Sequence, residues 1–364
     1  MTLLTVVGAR PNFLKAAALY RAFLAYPGVR HKIVHTGQHA DPQMSELIWA
    51  QLGLPQPDYQ LGINGGSGVQ QLAKTMLAFE PVLATERPDW VVVVGDVNAT
   101  LACALVAARM GIPLAHVEAG LRSGDRRMPE ETNRRLTDAL SDCLFVTEPV
   151  GLTHLAQERI APEKVHFVGN CMIDTLVANR ARAAATGTCQ RLGLEPKTYV
   201  LMTMHRPSNV DTREGWEALL SLISQTAQRW PLVFPMHPRT RERLAFFGLY
   251  GQLTALPNLH LLEPQGYLEF VDLMDQAAAV LTDSGGVQEE TTWLDVPCLT
   301  FRNSTERPVT VDIGSNTLLA QLDPMQAVVH LQAIFEGRGK KGGIPPLWDG
   351  KAATRIAAVL VGGS

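Results

Sequence analysis

Twelve short apolar runs recur along the chain, each followed by a polar loop and a helix-length segment. In the first half they are 2–8 (TLLTVVG), 31–36, 90–95 (WVVVVG), 112–117, 143–147 and 165–169. In the second half they are 198–204, 231–236, 258–263, 278–283, 296–301 and 317–320. Within each run the residues are almost continuously apolar rather than alternating, which is what strands buried on both faces require. Between them lie helical patterns such as 13–25, 99–110 and 215–230. Strands alternating with helices predict parallel sheets in the α/β class.

Six runs in each half and a length of 364 residues predict two doubly wound domains, at roughly 150 residues per domain. Segment 180–197 (RARAAATGTCQRLGLEPK) loses the strand signal, so the first domain is expected over 1–175 and the second over 176–349. Residues 337–350 are rich in Gly and Pro and read as a loop. The last stretch, 350–364, reads as a terminal helix.

Composition excludes several function classes. Hydrophobic residues make up 46% and charged residues 18%, against about 25% charged in an average chain, so large cores are expected. A net charge of −3 leaves no global basic field for nucleic acid or an anionic membrane. No run of about 18 apolar residues is present to span a bilayer. The N-terminal segment lacks a basic leader and reads as a first strand. Five cysteines at 103, 143, 171, 189 and 298 form no CxxC pair, which fits buried reduced thiols of a cytoplasmic protein.

In open α/β sheets ligands bind beyond the carboxyl ends of the strands. Seven loops there collect Arg, His, Asp, Glu and Ser: 8–15, 95–100, 118–135, 204–210, 236–244, 283–290 and 302–308. In the loop DSGGVQEE, Ser284, Gly285 and Gly286 open a helix, an arrangement suited to an anion or to a simple N-cap. Arg10, Lys15 and Arg307 in other strand-end loops favour a phosphorylated ligand. Asp96, Glu118 and Glu130 occupy consecutive loops; each suits a cap or a surface carboxylate, and together they suit divided acid and base roles. His116, His205 and His237 each end a strand, but without metal-ligand spacing, so no metal is expected. GxGxxG after a strand and GxxxxGK[ST] are both absent, which argues against a nicotinamide enzyme and a P-loop NTPase.

At this level of detail the chain resembles the non-hydrolysing UDP-N-acetylglucosamine 2-epimerases. GARPNFLK (8–15), TGQH (36–39), GDVNAT (95–100), HVEAGLRSGDRRMPEETNR (116–134), GN (169–170), MHR (204–206), TDSGGVQEE (282–290) and TERP (305–308) all have counterparts there in the same order. The resemblance implies two Rossmann-like domains in a glycosyltransferase-B arrangement with an interdomain active-site cleft, and a C-terminal helix returning to the first domain. It implies conversion of UDP-GlcNAc to UDP-ManNAc without an added cofactor, in a cytoplasmic homodimer supplying precursors of cell-surface polysaccharide. By motif match the catalytic residues fall on Asp96, Glu118, Glu130 and His205. Substrate contacts fall on Arg10, Lys15, Arg134, His237, Phe270, Ser284, Gly285, Gly286, Glu290 and Arg307, with Phe270 near the uracil.

The sequence departs from the family pattern at Pro207-Ser208-Asn209, at HPRT (237–240), and at Ala40-Asp41-Pro42, where many bacterial members differ. The last difference bears on activation by a second UDP-GlcNAc. Segments HTGQHADPQMSE, PDYQL and RMPEE also resemble epimerases acting on UDP-2,3-diacetamido-glucuronic acid. A glycosyltransferase on the same architecture, a hydrolysing epimerase and a noncatalytic nucleotide-sugar sensor are the competing readings. The full set of three carboxylates argues against the transferase and the sensor.

Overall fold

The computed structural model describes residues 1–37 and 42–362. Of the TGQH motif, Gln38 and His39 therefore lie outside the described residues, as do Ala40 and Asp41. The chain divides into two compact units, Met1–Ala178 with Pro346–Ser364, and Asn179–Pro345.

The first unit is built on a seven-stranded, all-parallel sheet. Its strands are β1 (Thr2–Val7), β2 (Arg30–His35), β3 (Tyr59–Gln60), β4 (Trp90–Val94), β5 (Leu114–Ala119), β6 (Cys143–Val146) and β7 (Val165–Phe167). They lie in the order β3-β2-β1-β4-β5-β6-β7. The second unit carries six parallel strands: β8 (Val200–Thr203), β9 (Leu232–Pro235), β10 (Leu259–Leu262), β11 (Ala279–Thr282), β12 (Cys298–Phe301) and β13 (Asn316–Leu319). Their order is β10-β9-β8-β11-β12-β13. Every apolar run expected as a strand is one. The strand that sequence reading missed, β3, is two residues long and has no apolar run to announce it.

In both sheets the strand order reverses near the centre, with β1 beside β4 in one and β8 beside β11 in the other. Such a switch point opens a crevice at the carboxyl ends of the strands. Apolar side chains fill both faces of each sheet. In the first unit, Leu3, Val92, Val94, Val117 and Phe145 pack on one face, and Leu4, Val6, Val91 and Val93 on the other. In the second, Met202, Phe234, Leu281 and Phe301 pack with the buried Trp216.

The terminal helix Ala352–Gly362 belongs to the first unit and lies against helix Arg10–Phe23. Its first N–H groups have no partner within the helix. Asp174 supplies one, accepting from Ala352 at 3.1 Å and Ala353 at 2.7 Å. Trp348, fully buried, donates its indole N–H to the Thr147 carbonyl at 3.0 Å. All five cysteines are buried and free. No described helix is long and apolar enough to cross a membrane.

Glycine is required where β5 leaves the sheet. Gly120 has φ +81, and a Cβ there would stand 2.7 Å from the Gly151 carbonyl oxygen. Neither backbone can yield without disturbing the β5 and β6 ends. Gly120→Ala should therefore lower stability by roughly 2–4 kcal/mol, combining left-handed strain with a backbone clash. Chemical denaturation measures it, and a loss under about 0.5 kcal/mol would show that the loop has room to move.

Candidate active site

The first unit gathers its polar groups beyond β1, β4 and β5. Asn12 ties the first two strands together. Its Oδ1 accepts from the N–H groups of Gly8 at 3.1 Å and Ala9 at 3.0 Å, and its Nδ2 donates to the Val94 carbonyl at 3.0 Å. Arg10 opens the following helix and is half-buried. Lys15, one turn on, is 4% exposed and forms an ion pair with Glu118. Sequence reading grouped Lys15 with phosphate-binding cations. Its immediate partner is a carboxylate of its own unit.

Glu118 sits where the pairing of β5 with β6 shifts register, between Val117 and Ala119. Its φ is +78, a conformation that costs a side-chain-bearing residue about 1–3 kcal/mol. An irregularity of this kind re-aims a side chain at the end of a strand. Here it brings the Glu118 carboxylate beside Gly95, where an added Cβ would stand 3.2 Å from Glu118 Oε2 and 3.5 Å from Lys15 Nζ. Gly95 thus makes room for the ion pair.

Asp96 follows directly. It does not cap the helix Asn98–Arg109, whose N-cap is Val97. Instead its carboxylate accepts from Arg134 Nε at 2.9 Å and Nη2 at 2.6 Å. Arg134 is 3% exposed and also meets Glu131 at 3.2 Å. Asn133 donates to the Asp96 carbonyl at 2.8 Å. Glu130 lies in the first turn of the same helix, Pro129–Leu140, and is half-buried. Among the described residues it enters no ion pair. Two of the three expected carboxylates are thus matched with buried cations.

His116 is neither a metal ligand nor at the surface. It is buried, with Nδ1 2.6 Å from Asp138 and Nε2 2.8 Å from the Gly95 carbonyl. Asp138 also accepts from the Gly120 N–H at 3.1 Å and from Arg122 at 2.7 Å. Burial opposes ionisation of Asp138, but His116 and Arg122 outweigh it and hold the carboxyl below its usual range. Sequence reading assigned nothing to Asp138, Arg122 or Glu131. Arg122 and Glu131 had only their position within a motif already singled out as a signal, and Asp138, four residues beyond that motif, had none.

In the second unit the polar groups stand beyond β8, β9, β11 and β12. Asp283 ends β11 and is fully buried. It accepts from the N–H groups of His205 and Arg206 and from Asn209 Nδ2, and its Oδ1 lies 3.0 Å from His205 Nδ1. The rings of His205 and His237 lie 5.3 Å apart. His237 caps the helix Pro238–Phe246, its Nδ1 accepting from the Arg239 N–H at 3.2 Å.

Ser284 is the N-cap of helix Gly285–Leu294, yet its hydroxyl makes no capping bond. Arg307 overlies the next residue: a Cβ on Gly285 would stand 3.1 Å from its Nη1. Its Nε meets Glu289 at 2.8 Å. Gln288, fully buried, holds the helix start by donating to the Ser284 carbonyl at 3.0 Å and accepting from Thr305 at 2.8 Å. Gly286 follows in the first turn. Glu290 is 4% exposed beside Tyr267. Phe270, half-buried, lies in the first turn of helix Tyr267–Gln276.

Each unit therefore places acids, cations and helix N-termini around its own sheet reversal. The first offers carboxylates held beside buried cations. The second offers a helix N-terminus, a guanidinium and a histidine, a set suited to a diphosphate. Among the described residues no cluster of three or more His, Cys, Asp or Glu side chains is placed to hold a metal ion.

A lipopolysaccharide outer core galactosyltransferase, 11% identical over the full length of both chains, superposes with a TM-score of 0.54 and shares the fold alone, the glycosyltransferase-B class. The sequence matches the UDP-N-acetylglucosamine 2-epimerase family over residues 21–361, and the chain belongs to that family. A UDP-N-acetylglucosamine 2-epimerase of Methanocaldococcus jannaschii is 38% identical over the whole of both chains. The crystal structure of the M. jannaschii UDP-GlcNAc 2-epimerase in complex with UDP-GlcNAc and UDP matches with a TM-score of 0.90, covering both chains completely. A UDP-2,3-diacetamido-2,3-dideoxy-D-glucuronate 2-epimerase of Pseudomonas aeruginosa is also 38% identical, over 99% of each chain. The protein is an isomerase of the epimerase type, as its motifs led us to expect.

Glu290 supplies a test of the second unit's polarity. Burial pushes its carboxyl up to about 8; Tyr267 opposes the shift and Glu289 adds to it. A carboxyl raised in the folded state contributes stability that is complete below its unfolded pKa and lost as pH rises through its folded one. The affected window runs from 4.5 to about 8. Glu290→Gln should match the parent's melting temperature near the acid end of that window. It should exceed it increasingly toward the alkaline end. A constant difference across the window would mean that Glu290 is ionised throughout.

Proposed function

We propose that the protein interconverts UDP-N-acetylglucosamine and UDP-N-acetylmannosamine by elimination of UDP and its readdition. The hydrogen on carbon 2 is not next to a carbonyl and resists direct removal. Departure of UDP gives carbon 1 cationic character and acidifies that hydrogen. The bond from carbon 1 to the phosphate oxygen breaks, a base takes the carbon 2 proton, and the double bond of a 2-acetamidoglucal forms. Protonation of carbon 2 on its other face, with attack of a UDP oxygen on carbon 1, gives the epimer. No net electron transfer occurs, so no redox cofactor is needed.

The observation that carries this reading is the placement of Asp96 and Glu118 at the ends of the neighbouring strands β4 and β5, each beside a buried cation. Fixed carboxylates at a sheet reversal suit proton transfer to and from a bound sugar. We assign that work to Asp96, Glu118 and Glu130, with Arg134 and Lys15 orienting the first two. To the second unit we assign the UDP. The N–H groups at Gly285 and Gly286, with Ser284 and Arg307, would carry the diphosphate, aided by Arg10, His205 and His237. Glu290 and Phe270 would meet the nucleoside. On this reading the first unit carries the sugar chemistry and the second the UDP. The product would feed polysaccharide assembly, and the protein would work as a cytoplasmic homodimer.

A second reading keeps the chemistry and changes the sugar. It is favoured by the equal identity of the P. aeruginosa relative, whose name specifies the diacetamido-glucuronate. Proton NMR of the enzyme incubated with each UDP-sugar in heavy water separates the two. The expected result is deuterium at carbon 2 of UDP-ManNAc, with slower labelling of recovered UDP-GlcNAc. Epimerisation with carbon 2 fully protonated would sink the elimination mechanism. Turnover of the diacetamido sugar alone would move the substrate. Asp96→Asn and Glu118→Gln should each slow turnover by about 10²-fold or more, the usual size for an acid–base group, with the fold intact by circular dichroism. Arg307→Ala should weaken UDP itself by roughly 1.5–3 kcal/mol, read by calorimetry.

A further inference from the structure

Asp283 is the most heavily engaged buried carboxylate of the second unit, and the elimination mechanism gives it no role. It ends β11 at the reversal of the sheet, next to the end of β8, from which His205 projects. Three of its bonds are to groups that carry no proton chemistry: the N–H of His205 at 3.0 Å, the N–H of Arg206 at 2.9 Å, and Asn209 Nδ2 at 2.9 Å. These fix the carboxylate and the backbone of the 205–206 turn relative to each other. Its Oδ1 also lies 3.0 Å from His205 Nδ1, an ion-pair distance. A carboxylate oxygen offers only lone pairs, so an approach this close calls for the proton on Nδ1. The other ring nitrogen, Nε2, is then the one left for a ligand, on a side chain still 35% exposed.

We infer that Asp283 is a positioning residue for His205: it holds Nδ1–H and aims Nε2 at the departing diphosphate. The inference rests on the catalytic reading of His205 and gives it a physical basis. Burial alone would disfavour charge on Asp283. His205, the Arg206 N–H and Asn209 outweigh it and hold the carboxyl below its usual range. An ionised, immobile acceptor on one face of the ring decides which ring nitrogen carries the proton. The His237 ring, from the β9 end, lies 5.3 Å away. Asn209 follows the Pro207-Ser208 pair at which the chain departs from the usual family sequence, and it serves Asp283 through its amide.

The test pairs spectroscopy with kinetics on the full-length protein. Nitrogen-15 NMR of histidine-labelled wild type, with His205 assigned from His205→Gln, reports which nitrogen keeps its proton on deprotonation. We expect Nδ1. The same experiment on Asp283→Asn should show the preference for Nδ1 lost, because an amide offers the ring a donor as well as an acceptor. kcat should fall by about 10²-fold, with KM and the UDP dissociation constant changed by no more than about threefold. A purely structural role for Asp283 would lower stability and leave the Nδ1 preference in place. Wild-type His205 retaining its proton on Nε2 overturns the inference without any variant having to fold, as does an Asp283→Asn variant with the parent's Nδ1 preference and the parent's kcat. Full turnover by His205→Gln while Nδ1 stays protonated overturns instead the catalytic reading of His205, and the functional half of the inference with it.

Discussion

The buried carboxylate of Asp138 is the interaction on which the first unit's chemistry depends. One oxygen meets His116, which in turn bonds the Gly95 carbonyl; the other meets the Gly120 N–H and Arg122. Gly95 immediately precedes Asp96, and Gly120 follows Glu118 by two residues. A single side chain therefore clamps the two loops that carry Asp96 and Glu118. Hydrogen bonds to ionised groups contribute about 1.5–3 kcal/mol each. Disrupting the set costs more than any one bond contributes. Removing one partner leaves the others charged, buried and unpaired, at about 3–5 kcal/mol. The network thus resists small displacements of these loops.

Helix Pro129–Leu140 carries this arrangement. Its buried Glu131, Asn133, Arg134 and Asp138 reach the loops beyond β4 and β5. Asn133 and Arg134 hold the backbone and carboxylate of Asp96. Glu131 accepts from the N–H and hydroxyl of Ser123, fixing the loop that leads into the helix. Burial raises the cost of charge on Glu131, but Ser123, Arg135 and Arg134 more than offset it. The helix has few apolar residues with which to dock. It is anchored by ion pairs and hydrogen bonds at the carboxyl edge of the sheet, where water is partly excluded and such bonds are strong.

This explains why the fold was more legible than the site. The twelve long strands are apolar runs, and burial on both faces is written directly into their composition. Strand β3 is the exception because two residues, Tyr59 and Gln60, cannot carry a period. Site residues could be nominated by loop position, since strand ends are visible. Their partners could not. PEETNRRLTDAL reads as a polar surface helix, and nothing local distinguishes the buried Asp138 from an exposed acid. Asp96 had the residue type and position for an N-cap, and only Arg134, 38 residues away, decides against it. The positive φ of Glu118 likewise follows from a register shift between strands. Single-residue preferences would not place a glutamate there.

The two sheet reversals solve the same physical problem with opposite charges at the centre. In the first unit carboxylates are brought to the reversal and neutralised from behind by Lys15 and Arg134. In the second, Arg307 stands beside the Gly285 turn and is balanced by Glu289 and Glu306. In each case the group offered to a ligand is charged, buried to 12% exposure or less on at least one partner, and fixed by a second charge that no ligand needs to touch. Unpaired, a buried charge would shift toward its neutral form. With its partner it stays charged and does not have to reorganise when charge develops on a substrate. The cost of burying these pairs is offset by the apolar strands beneath them, whose packing fixes the sheet ends from which every one of these side chains starts.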